Sequence, residues 1–407
     1  LLTDESCTIY DIPKIEDVTI IKTLLERIGA EVEESRPGTL RIQAGAIRNL
    51  THQDLNDITG RSRIPITMSG PLLKRFAQAA IPKLGGCKIG PRPIDFHVKA
   101  LHQLGADLVE DEDGEEWFKT ATPLKGATIK LDYPSVGATI QVLFSSVLAE
   151  GITEIHNAAV EPEIMDLVAV LQKMGAIIEV DTDRVIRIEG VGRLGGFKHH
   201  PIPDRNEAVS WACAALATNG RIFIRNAQQS AMMTFLNKYR QMGGGFDSTD
   251  DGITFYRQNG ALLPVNIATD VHPGFMTDWQ QPLVVVLTQA GGVSKVGETV
   301  YESRFAYIEA LRKMGAKITV HQGTMPEISH FKTRRAAFQT AEIHGSTPLR
   351  GATIEIPDLR AGFSYVIAAL TAKGVSTLRN FSVLGRGYEQ IIAKLQSLGV
   401  EIIEVRA

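Results

Sequence analysis

Apolar residues recur along this chain in a phrase that changes period at a glycine. In LQKMGAIIEVD, from Leu171, apolar residues at helical spacing run up to Gly175, and a short alternation of apolar and polar residues follows. The phrase recurs as LLERIGAEVEE from Leu24, LHQLGADLVED from Leu101, YRQMGGGFDST from Tyr239, LRKMGAKITVH from Leu311 and LQSLGVEIIEV from Leu395. Its glycines are Gly29, Gly105, Gly175, Gly243, Gly315 and Gly399, at intervals of 76, 70, 68, 72 and 84 residues. Each copy predicts a helix that ends at a left-handed residue, where glycine escapes the Cβ penalty, and then a half-buried strand such as the one around Ile177 and Glu179.

A second phrase is interleaved with the first. It reads LAEGITEIHN from Leu148, LATNGRIFIRN from Leu216 and LTAKGVSTLRN from Leu370, with a looser copy, LTQAGGVSKVGE, from Leu287. Again a helix runs into glycine (Gly151, Gly220, Gly291 or Gly374) and a strand follows; the copies near Glu5 and Ala79 lack the glycine. Six units of two helices and several strands divide into two domains of three, residues 1–201 and 202–407, with the boundary at HHPIP, where Pro201 and Pro203 interrupt both periodicities. Within a domain, three units bury their helices on one another and present sheets outside. Leu1 to Asp4 reads as the tail of a helix, and comparison with Gly126 to Gly151 implies about 25 further residues upstream in a complete first unit.

Composition narrows the class. The chain has 407 residues, 44% of them apolar and 22% charged, and a net charge of −3 with both signs mixed. That is globular composition, too long for one core and without the basic stripe of a nucleic-acid binder. No run approaches a membrane span; the densest, Leu283 to Leu287, suits a strand or part of a helix. Cys7, Cys87 and Cys213 show no paired or metal-type spacing, which predicts free thiols, a cytoplasmic protein and no metal.

Several motifs invite chemistry. GVGRLG, Gly190 to Gly195, matches a dinucleotide fingerprint by letters, but Pro201 and Pro203 follow in place of a helix, so it reads as a turn. His97, His102, His199 and His200 have no third metal ligand at a local spacing and read as structural or solvent-facing. Glu110 to Glu116, with Gly114, reads as a hairpin tip. In GGCKIGPRP, by contrast, Cys87 sits among glycines with Lys88 and Arg92 beside it, a setting that favours thiolate more than it suits a core. PSVGAT opens a helix with Ser135 as N-cap and Gly137 allowing close approach, which fits a phosphate or an ordinary capped helix. HPGFMTD, DLRAG and GRGYE place Asp278, Asp358, Arg360 and Arg386 at helix starts in successive units. Each alone is a cap or a surface charge; aligned, they form an anion funnel.

Together GGCKIGPRPID, PSVGAT, NAAVEPEIMDL, HPGFMTD, ESRF, DLRAG and GRGYE resemble, in order, the UDP-N-acetylglucosamine enolpyruvyl transferases, over essentially the whole chain. The resemblance implies an α/β fold of two inside-out, barrel-like domains, each of three repeated units with helices inside and sheets outside, closing around the substrates. It implies transfer of the enolpyruvyl group of phosphoenolpyruvate to the 3-hydroxyl of UDP-N-acetylglucosamine, the first committed step of peptidoglycan synthesis, without metal or organic cofactor. Cys87 then corresponds to the acid that protonates phosphoenolpyruvate, and Asp278 to the carboxylate at the attacking hydroxyl. Asp358 corresponds to a second carboxylate near the reacting carbons, and Arg92, Arg360 and Arg386 to the arginines on phosphoenolpyruvate. Arg63, Arg304 and Val300 correspond to further positions near the site, Ser135, Val136 and Gly137 to the diphosphate contact, and Pro93 and Asp95 to the uridine side. A Lys-Asn pair in a GAKNAAL-like segment of the family would belong to the upstream residues. Tyr133 stands where lysine is common, and Met276 where proline is. The small-molecule substrates are the expected partners, in a monomer or weak homo-oligomer. Two alternatives stay open: an enolpyruvyl transferase for another acceptor, and a non-catalytic paralogue that binds the nucleotide sugar.

Overall fold

The computed structural model describes residues 1–56, 60, 62–85, 93–331 and 333–405. They form two compact units, one ending at Ile202 and the other starting at Pro203. Each has its own buried apolar core.

The left-handed glycines punctuate both units as the pattern predicts. Gly29, Gly105, Gly175, Gly243, Gly315 and Gly399 all have φ between 86° and 102°. The helices ahead of them include Glu16–Arg27, Asp95–Gln103, Pro162–Lys173 and Met233–Gln241, and each turns at its glycine into the next strand. The second phrase behaves less uniformly. Gly151 and Gly374 are left-handed, but at the copies from Leu216 and Leu287 the positive φ falls on Asn219 and Gly292, not on Gly220 or Gly291. Asparagine tolerates that conformation well enough to take the glycine's place.

In the second unit three helices form the centre: Arg205–Ala217, Thr277–Thr288 and Leu359–Thr371, called here the first, second and third core helices. They pack on one another. The first two are buried on almost every side, as a helix apolar all round must be; the run Leu283 to Leu287 lies inside the second. At Gly362 of the third core helix an added Cβ would lie 2.7 Å from Leu384 and 2.8 Å from Ile356, so glycine is required for that approach. Trp211, Phe363 and Tyr388 stack or meet edge-on, each contributing roughly 1.5–3 kcal/mol by burial. Outside lie three sheets: Arg221–Arg225 with Gly252–Arg257 and Gly244–Thr249; Ile267–Ala268 with Gly292–Glu298, Gln339–Gly345 and Lys317–Gln322; and Thr353–Glu355 with Thr377–Arg379.

The first unit is built likewise from the helices Ser69–Phe76 and Val136–Ser146, with three sheets around them. A Cβ on Gly70 would meet Ser145 Oγ at 2.4 Å, which fixes how closely those two helices cross. Leu1 to Asp4 is not helical. Arg75 takes the carbonyls of Leu1 and Thr3 at 2.5 and 3.0 Å, which occupies acceptors a helix would use. Two strand expectations also shift. Ile178 is the buried residue of Ile177–Val180, while Ile177 is exposed. The sixth copy makes no strand over residues 400–405, because no antiparallel partner follows it among the described residues as one does in the other five. No described helix is long and apolar enough to cross a membrane.

Candidate active site

The starts of the core helices of the second unit meet, and charge gathers where they do. Two are capped alike: Asp204 accepts from the Asn206 and Glu207 N–H groups at 2.7 and 3.2 Å, and Asp358 from those of Arg360 and Ala361 at 2.9 and 3.2 Å. Such a cap is worth about 1 kcal/mol. The second core helix differs. Its N-cap is Met276, which provides no side-chain cap, and its aspartate, Asp278, lies inside the first turn. That shift directs the Asp278 carboxylate to two cations. Arg304 Nη2 donates to Oδ1 at 2.5 Å and Arg360 Nε to Oδ2 at 3.3 Å. Burial works against the Arg304 charge, but Asp278, Glu298 and Asp358 outweigh it and hold the guanidinium protonated. The helix N-terminus favours the same negative charge on Asp278.

Arg360 is fixed from a second direction. Its Nη1 donates to Tyr388 Oη at 3.3 Å, and that hydroxyl lies 2.8 Å from Ser210 Oγ, which donates to the Asn206 carbonyl at 2.9 Å. Since Ser210 has one proton, the direction runs from Arg360 through Tyr388 and Ser210 to the first core helix. Burial pushes the Tyr388 phenol up to about 12, so it keeps the proton this order needs. Arg386 does not open a helix as its motif suggested: it ends the Phe381–Arg386 turn, two residues before Tyr388, and the next helix starts only at Ile391; Val300 lies in the loop between strand Gly292–Glu298 and Arg304.

The candidate residues of the first unit also assemble. Ser135 caps Val136–Ser146, accepting from Ala138 N–H at 3.3 Å. A Cβ on Gly137 would lie 3.1 Å from His97 Nε2, so the helix start presses on helix Asp95–Gln103, which Asp95 opens and Pro93 precedes. Lys99 is 3.9 Å from Asp95 and 3.7 Å from Asp132. Of the two readings of His97, structural or solvent-facing, burial favours the first: it is 3.5 Å from Gln141, and burial followed by the nearby Arg63 charge lowers its pKa. Arg63 stands immediately before the turn Ile64–Met68. Cys87 and Arg92 lie outside the described residues.

Residues 1–395 match the family described as EPSP synthase (3-phosphoshikimate 1-carboxyvinyltransferase). The UDP-N-acetylglucosamine 1-carboxyvinyltransferase of Protochlamydia amoebophila is 46% identical over 99% of this chain and 87% of its own length, and that of Chlamydia pneumoniae 42% identical over 99% and 88%. The chain belongs to the enolpyruvyl transferase family, with the UDP-N-acetylglucosamine 1-carboxyvinyltransferases. Among solved structures, the enolpyruvyl transferase NikO from Streptomyces tendae superposes with a TM-score of 0.84 at 22% identity, covering 98% of this chain and 90% of that one. EPSP synthase from Acinetobacter baumannii gives 0.67 at 16%, covering 97% and 90%. These likenesses establish the two-domain α/β fold of an enolpyruvyl transferase, as the repeats and motifs implied.

Some residues around this candidate site were not singled out by sequence. Arg205 is buried 5.5 Å over the Trp279 ring, beside the Asp204 cap. A signal existed: Pro203-Asp204 and Pro357-Asp358 precede equivalent core helices. Tyr388 lies within GRGYE, but nothing local in the sequence links it to Ser210, 178 residues away. Glu298 ends the looser copy from Leu287, at the place where the other copies end in Asn157, Asn226 and Asn380.

Proposed function

We propose that this enzyme joins the 3-hydroxyl of UDP-N-acetylglucosamine to phosphoenolpyruvate with Asp278 and Cys87 at the two ends of the proton traffic. Asp278 takes the hydroxyl proton as oxygen bonds to the central carbon of phosphoenolpyruvate. Cys87 gives a proton to the methylene carbon. Loss of that carbon's proton and departure of phosphate then restore the double bond, so the net products are the enolpyruvyl ether and inorganic phosphate. Arg360, Arg386 and Arg92 are assigned to the phosphate and carboxylate of phosphoenolpyruvate, with Arg304 and Asp358 bordering them. Ser135, Val136 and Gly137 are assigned to the diphosphate at a helix N-terminus, Arg63 and Val300 to positions near the substrates, and Pro93 and Asp95 to the uridine.

The observation that carries this reading is Asp278, placed in the first turn of a buried helix and held between Arg304 and Arg360. The two cations keep that carboxylate ionised, and so free to accept a proton, and they set positive charge where an anionic co-substrate would lie beside it. A cytoplasmic location goes with it, since both substrates carry charges that do not enter a bilayer unaided. The test is phosphate release with each substrate alone and with both. Release only with both supports the reading; release from phosphoenolpyruvate without nucleotide sugar contradicts it.

A further inference from the structure

Glu298 is a carboxylate the proposed reaction does not use, and it is 1% exposed. It ends the strand Gly292–Glu298 beneath the second core helix. Its Oε1 accepts from Val300 N–H at 2.7 Å, Tyr301 N–H at 3.1 Å and Thr269 Oγ1 at 3.1 Å. Its Oε2 accepts from Thr277 Oγ1 at 2.8 Å and Gln280 Nε2 at 3.1 Å. Five donors converge on two oxygens, which fills the acceptor capacity of a carboxylate and suits no amide or hydroxyl of the same size. Burying such a group is costly unless it is paired in this way, so an apolar residue would be the cheaper filler if packing were its purpose.

The partners explain the arrangement. Thr277 and Gln280 belong to the first turn of the second core helix, on either side of Asp278. Val300 and Tyr301 belong to the loop that leads to Arg304. Gln280 closes the circuit, because its Oε1 accepts from Tyr307 Oη at 2.9 Å in the turn Arg304–Tyr307. The helix bearing the carboxylate and the loop bearing its cation are thus fastened to one buried group.

We infer that Glu298 is a positioning residue for enolpyruvyl transfer: it locks the first turn of the second core helix to the loop of Arg304, and so sets the place of Asp278. This rests on the reading of Asp278 given above. Glu298→Gln keeps the shape but puts an N–H₂ among the donors. The complete protein carrying it is expected to fold with an unchanged near-UV spectrum and to lose kcat by about 10- to 100-fold, the loss typical of a small misplacement, while KM for UDP-N-acetylglucosamine stays within about twofold. Glu298→Asp, still an acceptor only, recovers part of kcat. The double variant E298Q/D278N turns over no more slowly than D278N, because Glu298 acts through Asp278. A folded E298Q at wild-type kcat overturns the inference, as do losses that multiply in the double variant. Should E298Q fail to fold, Thr277→Val removes one of the five bonds and is expected to slow kcat by a smaller factor, also without adding to D278N; a wild-type rate there overturns it too. D278N at wild-type turnover would remove Asp278 from the reaction and this inference with it, an outcome distinct from failure of Glu298 alone.

Discussion

At the scale of single residues, the three cysteines divide by surroundings. Cys213 is buried in the first core helix, and desolvation pushes its thiol far above the ordinary range. Cys7 is half-buried in a strand, and burial raises it as well, against a hydrogen bond from Phe197 N–H. Both are held as thiols, the unreactive form. Cys87, among Gly85, Gly86 and Gly90 with Lys88 and Arg92 beside it in sequence, is assigned the reactive thiol. The epoxide fosfomycin, an analogue of phosphoenolpyruvate, is therefore expected to alkylate Cys87, and faster in the presence of UDP-N-acetylglucosamine. Intact mass and peptide mapping read the result, and label on Cys7 or Cys213 with Cys87 unmodified would reject the assignment. At this scale the sequence was informative where chemistry is local. Asp278 and Arg360 could be named from their motifs, but their pairing across 82 residues could not, because it depends on two helix starts meeting.

Elements explain that meeting. The helix-glycine-strand phrase encodes each repeat, and repetition alone predicts that equivalent helix starts face one another when the repeats pack. What periodicity does not encode is the polar wiring between starts. The path from Arg360 through Tyr388 to Ser210 joins three elements and holds the guanidinium at one angle. Tyr388→Phe removes one hydroxyl and leaves the stacking on Phe363, whose ring centroid lies 4.5 Å away. It is expected to cost about 1–2 kcal/mol of stability through the Arg360 and Ser210 groups left without that partner. It should also raise KM for phosphoenolpyruvate more than for the nucleotide sugar. Thermal melts and steady-state kinetics check both, and equal effects on the two KM values would speak against Arg360 acting on phosphoenolpyruvate. Residues 400–405 form no strand for the converse reason: an alternating pattern states that a strand can be half-buried, but only a neighbour supplies its hydrogen bonds.

Over the whole molecule, six repeats, two units and helices inside sheets were legible in the sequence because glycine and apolar period repeat at long, regular intervals. Stability has its own pH dependence. Asp54 receives Arg48 through both oxygens at 2.7 and 2.8 Å and the Thr51 N–H at 2.9 Å, and these partners, Arg48 foremost, hold its carboxyl well below the usual range. A depressed carboxyl stabilises the fold above its unfolded pKa, near 4, and that contribution is lost as pH falls toward the folded value. Arg48 is half exposed, so the effect is about 1 kcal/mol. Asp54→Asn should lower the melting temperature at pH 7 and converge with the parent at the lowest pH at which both still fold; a gap that does not narrow on acidification contradicts this.

The central claim, that this chain transfers the enolpyruvyl group with Asp278 at the reacting hydroxyl, is tested most directly by one paired measurement on Asp278→Asn. Calorimetry reports its affinity for UDP-N-acetylglucosamine, and phosphate release reports its turnover with both substrates. A role confined to the transition state predicts affinity within a few-fold of the parent and turnover lower by roughly a hundredfold or more. Parent-level turnover in the variant would contradict the claim.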